Sequence, residues 1–306
     1  MKKSIWRRIR RYTPLYIMML PGLVYLLINN YLPMAGLTVA FKDIDFRKGI
    51  FGSDWIGLKN FEFLFATKDA WIITRNTLGF NILFILLNTT ISVIVAILLN
   101  EMAMRATRRF YQSAILLPFL LSWVIIGYLG NAMMNIELGF LNNTVLPLLG
   151  MQPVQWYMDS KLWVFILPFV YVWKEVGYTS IIYYSAVIGI SGEYYEAASL
   201  EGATKLQQIR YITFPLIQPV ILTMVLLAIG KIFRSDFGLF YYVPLNSGAL
   251  YQTTNTIDTY VYRALMQLGD IGMSAAAGAY QAIVGFVFVM ASNFIVRKVS
   301  PDNALF

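Results

Sequence analysis

The sequence predicts an all-α, polytopic membrane protein with six transmembrane helices. Of its 306 residues, 58% are hydrophobic and 13% are charged, and the mean hydropathy is +0.61, which is far from the composition of a soluble domain of this length. A helix needs about 20 mainly apolar residues to cross a hydrocarbon core of about 30 Å. Six stretches qualify: Leu15–Phe41, Thr77–Leu99, Ala114–Met134, Val164–Ile190, Ile212–Phe233 and Ala275–Val296.

The first span is the least regular of the six. Pro21, Asn29, Asn30 and Pro33 interrupt it, yet it is long and lacks a small-residue cleavage site, so we expect it to be retained. Beyond it, Gly52–Phe65 carries apolar residues at roughly helical spacing. This segment is either a short helix in the interface plane or a loop packed on the bundle.

The basic residues orient the bundle. They cluster before span one, between spans two and three, and after span six, namely at Lys2, Lys3, Arg7, Arg8, Arg10, Arg11, Arg105, Arg108, Arg109, Arg297 and Lys298. All three clusters fall on one side, which the positive-inside rule assigns to the cytoplasm. We therefore expect a cytoplasmic N-terminus (1–14), one six-helix domain (15–298) and a cytoplasmic C-terminal tail (299–306). The net charge of +8 then reflects topology, and no nucleic-acid partner is expected.

The residue inventory limits the chemistry. The chain has no cysteine and no histidine, which excludes thiolate chemistry, imidazole ligation of a metal and histidine acid–base catalysis. No Gly-x-x-x-x-Gly-Lys-Ser/Thr phosphate loop occurs, because the only Gly-Lys pair, Gly230-Lys231, is followed by Ile232. We expect no metal site and no bound cofactor on this chain.

The loop between spans four and five, residues 191–215, predicts a helix, a break and a second helix. Residues that favour helix run up to Glu201, Gly202 permits a sharp turn, and Lys205–Arg210 can resume the helix. Pro215 marks entry into the next span. Such a segment protrudes from the membrane on the cytoplasmic side.

This loop resembles the signature of the permeases of ATP-binding cassette (ABC) importers: Glu-Ala-Ala, three residues, Gly, nine residues, then Ile-x-Leu-Pro. The matching residues are Glu196, Ala197, Ala198, Gly202, Ile212 and Pro215, with Phe214 in place of the usual Leu. The resemblance implies a coupling loop that docks on a separate ATPase subunit. Glu196 would pair with partner cations or cap the helix, and ATP and Mg²⁺ would bind the partner.

Further short stretches resemble the carbohydrate branch of these permeases over nearly the whole chain. They are Pro33–Gly36, Ala40–Asp43, Gly57–Phe61, Arg75–Leu78, Leu99–Glu101, Trp173-Lys174 and Thr259–Arg263. The resemblance implies a type I ABC importer fold in a bacterial cell membrane. It also implies a heterodimer with a second permease, two ATPase copies, an extracytoplasmic solute-binding protein and an oligosaccharide substrate.

Span four carries a polar stripe that is the candidate substrate path. Tyr171, Lys174, Glu175, Tyr178 and Ser185 fall within one sector about 100° wide on a helix. Ionisable groups in a span cost about 2.5–3.5 kcal/mol each, so they should face a cavity or a partner. The stripe either lines the path or packs on the second permease, with Lys174 and Glu175 paired.

Two asparagines in other spans are further candidates for the path. Asn88 and Asn131 lie in spans two and three, and each could instead bond a neighbouring helix.

The long outer loop 234–274 is a candidate contact for the binding protein or a gate. The alternatives to an importer are an ion-coupled secondary transporter, which would need intramembrane acid–base relays, and an intramembrane enzyme.

Overall fold

The computed structural model describes residues 2–299, and at residues 2–9, 11, 63–65, 295, 296, 298 and 299 only the backbone. Residues 300–306 of the predicted C-terminal tail therefore lie outside the described residues, as do most side chains of the N-terminal basic cluster. In chain order the helices are α1 (Lys2–Leu26), α2 (Gly49–Gly52), α3 (Lys59–Ala66), α4 (Asp69–Glu101), α5 (Arg105–Leu120), α6 (Trp123–Met134), α7 (Leu146–Leu148), α8 (Trp163–Ile188), α9 (Gly192–Leu200), α10 (Lys205–Gln208), α11 (Phe214–Ile229), α12 (Phe237–Tyr242), α13 (Tyr251–Thr254), α14 (Ile257–Met266) and α15 (Ile271–Val299).

The described residues contain four helical stretches that are long and apolar enough to cross a membrane. They are Tyr12–Phe41, Asp69–Glu101, Lys205–Ile229 and Ile271–Phe294. Helices α5 and α6 add a fifth if they form one span bent by 95°. The predicted fourth span, α8, is 26 residues long but is not among them. The helical class is confirmed, and the count of six spans stays a prediction.

The chain divides into two compact units, and the first comprises Met1–Thr67 and Val261–Tyr280. Here α1 continues through a π-helical turn, Leu27–Tyr31, into a 3₁₀ helix, Leu32–Phe41. The change of helix type falls at the asparagines and at Pro33, which has no N–H to donate.

The predicted interfacial helix is shorter than expected. It begins at Lys59 rather than Gly52, because Asp54–Trp55 (β2) pairs antiparallel with Lys42–Asp43 (β1) instead. The ring of Phe41 stacks on that of Trp55 at 5.5 Å. Backbone pairing and ring packing thus hold this segment in an extended conformation.

The second unit comprises Lys68–Tyr260 and, of the described residues, 281–299. Its main apolar core lies among α4, α6, α8 and α12, where Phe84, Trp163, Leu167 and Phe240 are buried. A second cluster around the buried Tyr183 joins α4, α8 and α11. These helices pack on α8 from several sides and position its polar residues.

The third predicted span, Ala114–Met134, is not one continuous helix. Helix α5 starts at Arg105 and ends at Leu120, and α6 leaves it at 95°. Pro118 lies in the last turn of α5. The two residues that follow this helix, Leu121 and Ser122, are extended. The hydroxyl of Ser122 then caps α6 by accepting a hydrogen bond from a backbone N–H at 3.3 Å. Proline and a capping serine together explain the break.

Candidate functional site

The loop between α8 and α11 is a helix, a turn and a second short helix, as the sequence predicts. The hydroxyl of Ser191 accepts a hydrogen bond from a backbone N–H of the first turn of α9 at 3.4 Å. Gly202 follows α9 with φ +81°, a left-handed conformation that costs other residues roughly 1–2 kcal/mol. Thr204 and Gln207 then form a capping box that starts α10.

Polar contacts inside the loop hold its two short helices together. Gln208 is buried, and its amide donates to the hydroxyl of Ser199 at 2.8 Å and to the carbonyl of Ala203 at 3.4 Å. The hydroxyls of Tyr195 and Thr213 lie 2.9 Å apart and link α9 to the segment before α11. Because these contacts lie within the loop, we expect it to move as one body.

The tip of this loop exposes apolar side chains. Leu200 and Leu206, on either side of Gly202, have exposed fractions of 90% and 74%. Glu196 is also exposed on α9, and within the described part of the chain no ion pair involves it. Exposed leucines beside an unpaired carboxylate, carried on a rigid protrusion, are typical of a protein-interaction surface.

One expectation for Glu196 is wrong. It does not cap the helix, because Ser191 does so and Glu196 lies in the second turn of α9. The pairing of Glu196 with partner cations stays a prediction. The other residues of the signature are arranged as follows: Ala197 is exposed, Ala198 and Ile212 are half-buried, and Pro215 is exposed in the first turn of α11.

A cavity of about 520 Å³ lies among α4, α8, α11 and the segment after α11. Asn88, Tyr171, Glu175 and Tyr178 line it, so part of the predicted substrate path is brought together. The amide of Asn88 donates to the hydroxyl of Thr179 at 3.0 Å. Asn88 therefore bonds a neighbouring helix as well as lining the cavity.

Aromatic rings form much of the α8 side of the cavity. Tyr171 stacks on Phe84 with 4.0 Å between ring centroids, and Tyr178 stacks on Phe119 at 4.7 Å. Tyr178 remains 47% exposed. The stacking fixes both tyrosine rings at the edge of the open space.

Three predicted path residues do not line this cavity. Lys174 is buried and its ammonium donates to backbone carbonyls of the α5–α6 break, so it forms no ion pair with Glu175 among the described residues. Ser185 is exposed and donates to the carbonyl of Ile181 at 2.9 Å. Asn131 lies half-buried on α6. A shared helical sector did not ensure shared surroundings, because α5 and the α5–α6 break cover Lys174 whereas the adjacent Glu175 faces the cavity.

The sequence analysis missed three ionisable residues of the cavity. Lys231, Arg234 and Asp236 line it from the segment that follows α11. Their signal in the sequence is three ionisable residues within 231–236, directly after the uncharged helix Phe214–Ile229. Among the described residues, neither Lys231 nor Arg234 forms an ion pair.

Comparisons with known proteins agree with this architecture. The family described as "Binding-protein-dependent transport system inner membrane component" matches residues 88–301. The polygalacturonan/rhamnogalacturonan transport system permease protein YteP of Bacillus subtilis (strain 168) is 32% identical, over 94% of this chain and 89% of YteP. Protein LplB of the same organism is 31% identical, over 94% of this chain and 90% of LplB.

Two solved structures have the same fold. A crystal structure of a bacterial ABC transporter involved in the import of the acidic polysaccharide alginate matches with a TM-score of 0.87 and 31% identity, covering 97% of this chain and 99% of that one. A crystal structure of a bacterial alginate ABC transporter, in complex with an alginate pentasaccharide-bound periplasmic protein, matches with a TM-score of 0.85 and 30% identity, covering 96% and 98%.

These matches exclude the secondary-transporter and enzyme alternatives. They cover nearly the whole chain, and the residues of the family match include the coupling loop, α8, α11 and the segment after α11. The chain therefore belongs to the binding-protein-dependent transport system inner membrane components, the multi-pass membrane permeases of ABC importers.

Proposed function

We propose that this chain forms, with a second permease, the membrane path of an ABC importer for acidic oligosaccharides. The observation that carries the substrate class is the cavity, in which Lys231 and Arg234 lie beside fixed tyrosine rings and form no ion pair within the described residues. The names of YteP and of the alginate importer, both of which refer to acidic polysaccharides, support the same class.

The lining matches the groups of a uronate-containing sugar. Guanidinium and ammonium groups bind carboxylates through charge-assisted hydrogen bonds, which contribute about 1.5–3 kcal/mol each. The carboxylates of Glu175 and Asp236 can accept hydrogen bonds from sugar hydroxyls, and the ring of Tyr178 offers an apolar surface to the sugar. A cavity with both signs of charge thus suits a polyhydroxylated anion better than a simple ion.

The coupling loop (residues 191–215) is the proposed contact with the ATPase. Leu200 and Leu206 would enter an apolar cleft of that subunit, and Glu196 would meet a cation at its rim. Because the loop is tied internally and continues into α11, a shift of the ATPase would move α11 and the adjoining cavity wall as a rigid body. Two ATPase copies would bind ATP and Mg²⁺, which this chain has no phosphate loop to hold.

Reconstitution tests this proposal. The chain is purified with its copurifying subunits, placed in liposomes and supplied with the solute-binding protein and ATP. We expect uptake of an oligogalacturonate and no comparable uptake of a neutral oligosaccharide of the same length. Equal uptake of both would contradict the acidic substrate class. Recovery of an active chain without any nucleotide-binding subunit would contradict the coupling role.

A further inference from the structure

The break between α5 and α6 leaves backbone carbonyls without helical hydrogen-bond partners, which is more costly in a membrane than in water. The last carbonyls of a helix have no partner within that helix, and an unsatisfied backbone group in hydrocarbon costs several kcal/mol. Leu121 and Ser122 are extended, with ψ of 138° and 153°, so α6 does not continue the hydrogen-bond ladder of α5. Another element must satisfy the carbonyls left at the break.

Lys174 of α8 supplies hydrogen-bond donors to these carbonyls. Its Nζ donates to the carbonyl of Phe119 at 2.7 Å and to that of Leu121 at 2.8 Å. The same nitrogen lies 5.2 Å from the ring centroid of Phe119 and 5.2 Å from that of Trp123, where cation–π attraction adds to the hydrogen bonds. Only 6% of Lys174 is exposed. Its ammonium therefore bonds the break, and Lys174 is not among the residues that line the cavity.

Close backbone packing brings Lys174 to this position. One turn further along α8, Gly177 lies against α5, and a Cβ built on it would collide with the carbonyl oxygen of Ile115. A side chain at this point would force the two helices apart. The glycine contact and the lysine therefore act together, since the first sets the distance between α8 and α5 and the second satisfies the break.

The break is also connected to the cavity wall. Trp123, the first residue of α6, donates from Nε1 to Oδ2 of Asp236 at 2.9 Å. The other oxygen of Asp236 accepts hydrogen bonds from the N–H groups of Gly238 and Leu239 and so caps α12. Gly238 lies tightly against Trp123, since a Cβ there would collide with the indole ring. Trp123 therefore links the start of α6 directly to Asp236, which lines the cavity.

We propose that Lys174 is a positioning residue that fixes the 95° break of the third span, and through Trp123 the place of Asp236, without contacting the substrate. Its ammonium donates hydrogen bonds to the carbonyls of Phe119 and Leu121 in place of the backbone N–H groups that a continuous helix would provide. The effect on transport rests on the proposed role of the cavity as the substrate path. The effect on the break does not depend on that role.

The chain has no cysteine of its own, so two introduced cysteines can be labelled selectively once the cysteines of the copurifying subunits have been replaced by serine. Tyr111→Cys on α5 and Tyr128→Cys on α6, at positions 45% and 70% exposed, would carry spin labels in the intact complex in nanodiscs. Pulsed electron paramagnetic resonance then gives the distance across the break. We expect one narrow distribution with Lys174, and a broad or shifted distribution after Lys174→Met, which keeps the length of the side chain and removes the donors.

A neighbouring substitution is the matched control. Glu175→Gln changes the next residue of α8, which lines the cavity and, among the described residues, forms no ion pair with Lys174. We expect it to raise the apparent KM for oligosaccharide and to leave the spin-label distance unchanged. If transport of the proposed substrate is absent altogether, the distance measurement still tests the role of Lys174.

The opposite pattern overturns the proposal. An unchanged distance distribution in Lys174→Met, together with a raised apparent KM, would place Lys174 among the substrate contacts. If Lys174→Met yields too little protein, Lys174→Ser leaves room for water at both carbonyls and is measured instead. A broad distribution in that variant supports the positioning role, and a narrow distribution identical to that of the unsubstituted chain contradicts it.

Discussion

The coupling loop and the cavity are organised in opposite ways. The loop, residues 191–215, is held by contacts among its own residues, such as the hydrogen bond from Gln208 to Ser199, and an exposed ion pair of Lys205 with Glu101 at 3.3 Å joins it to α4. The cavity is assembled from α4, α8, α11 and the segment after α11, which are distant in sequence. One site is a local structure displayed at the surface, and the other exists only when several helices have packed.

This difference separates two kinds of functional change. A substitution in the loop should alter the transfer of motion between ATPase and permease, whatever sugar is carried. A substitution in the cavity should alter the recognition of particular sugars and leave that transfer intact. Measuring uptake and ATP hydrolysis together, with two substrates, distinguishes the two effects.

The largest effect is expected for Gly202→Pro. Proline cannot adopt φ +81° and has no N–H to donate to the carbonyl of Ser199, a hydrogen bond of 3.1 Å in this structure, so the turn should be destabilised by about 3 kcal/mol or more. Uptake and substrate-stimulated ATP hydrolysis should both fall below about a tenth of their normal rates. Gly192→Ala, at an open position with ordinary φ, is the control. Normal uptake by Gly202→Pro would remove the coupling assignment.

A smaller loss is expected for Glu196→Lys. Reversing an exposed charge at the rim of an interface should weaken docking of the ATPase by roughly tenfold or less, and raised salt should lessen the effect. The amount of ATPase that copurifies with the chain measures docking. Glu193→Lys changes an equally exposed residue nearer the start of α9. A similar loss in both variants would show that net charge matters and that the position of Glu196 does not.

The cavity should respond in a manner that depends on the substrate. Lys231→Gln combined with Arg234→Gln removes two cations from the lining, and we expect the apparent KM for an oligogalacturonate to rise about tenfold or more. Nucleotide hydrolysis without substrate should stay normal. A neutral oligosaccharide of equal length is the comparison. An equal change for both sugars would contradict recognition of the carboxylates.

The smallest effect is expected for Ser185→Ala. Among the described residues, the hydroxyl of Ser185 donates only to the carbonyl of Ile181, four residues earlier on α8, and Ser185 is exposed and does not line the cavity. Its removal should change stability by no more than about 0.5 kcal/mol and should leave the apparent KM unchanged for every sugar. A thermal unfolding curve and an uptake assay check both statements. A raised apparent KM would contradict this prediction and indicate that Ser185 belongs to the substrate path.

Local patterns in the sequence were sufficient to predict the helix–turn–helix structure of the coupling loop. Gly202 marks the turn because few other residues accept its φ, and the apolar stretches indicate membrane helices by length and composition alone. The break in the third span was missed, although Pro118 and Ser122 were visible. Both residues also occur within continuous transmembrane helices, so neither dictates a break by itself.

The sequence by itself determined that this chain is a helical membrane protein with a helix–turn–helix loop before its penultimate predicted span, because both properties depend on neighbouring residues. Only the tertiary structure decided which polar residues share a cavity. Lys174 and Glu175 are adjacent in sequence, yet one satisfies the carbonyls of a broken helix and the other lines the cavity with Arg234. A helical face specifies the direction of a side chain, and the packing of other helices decides what that side chain meets.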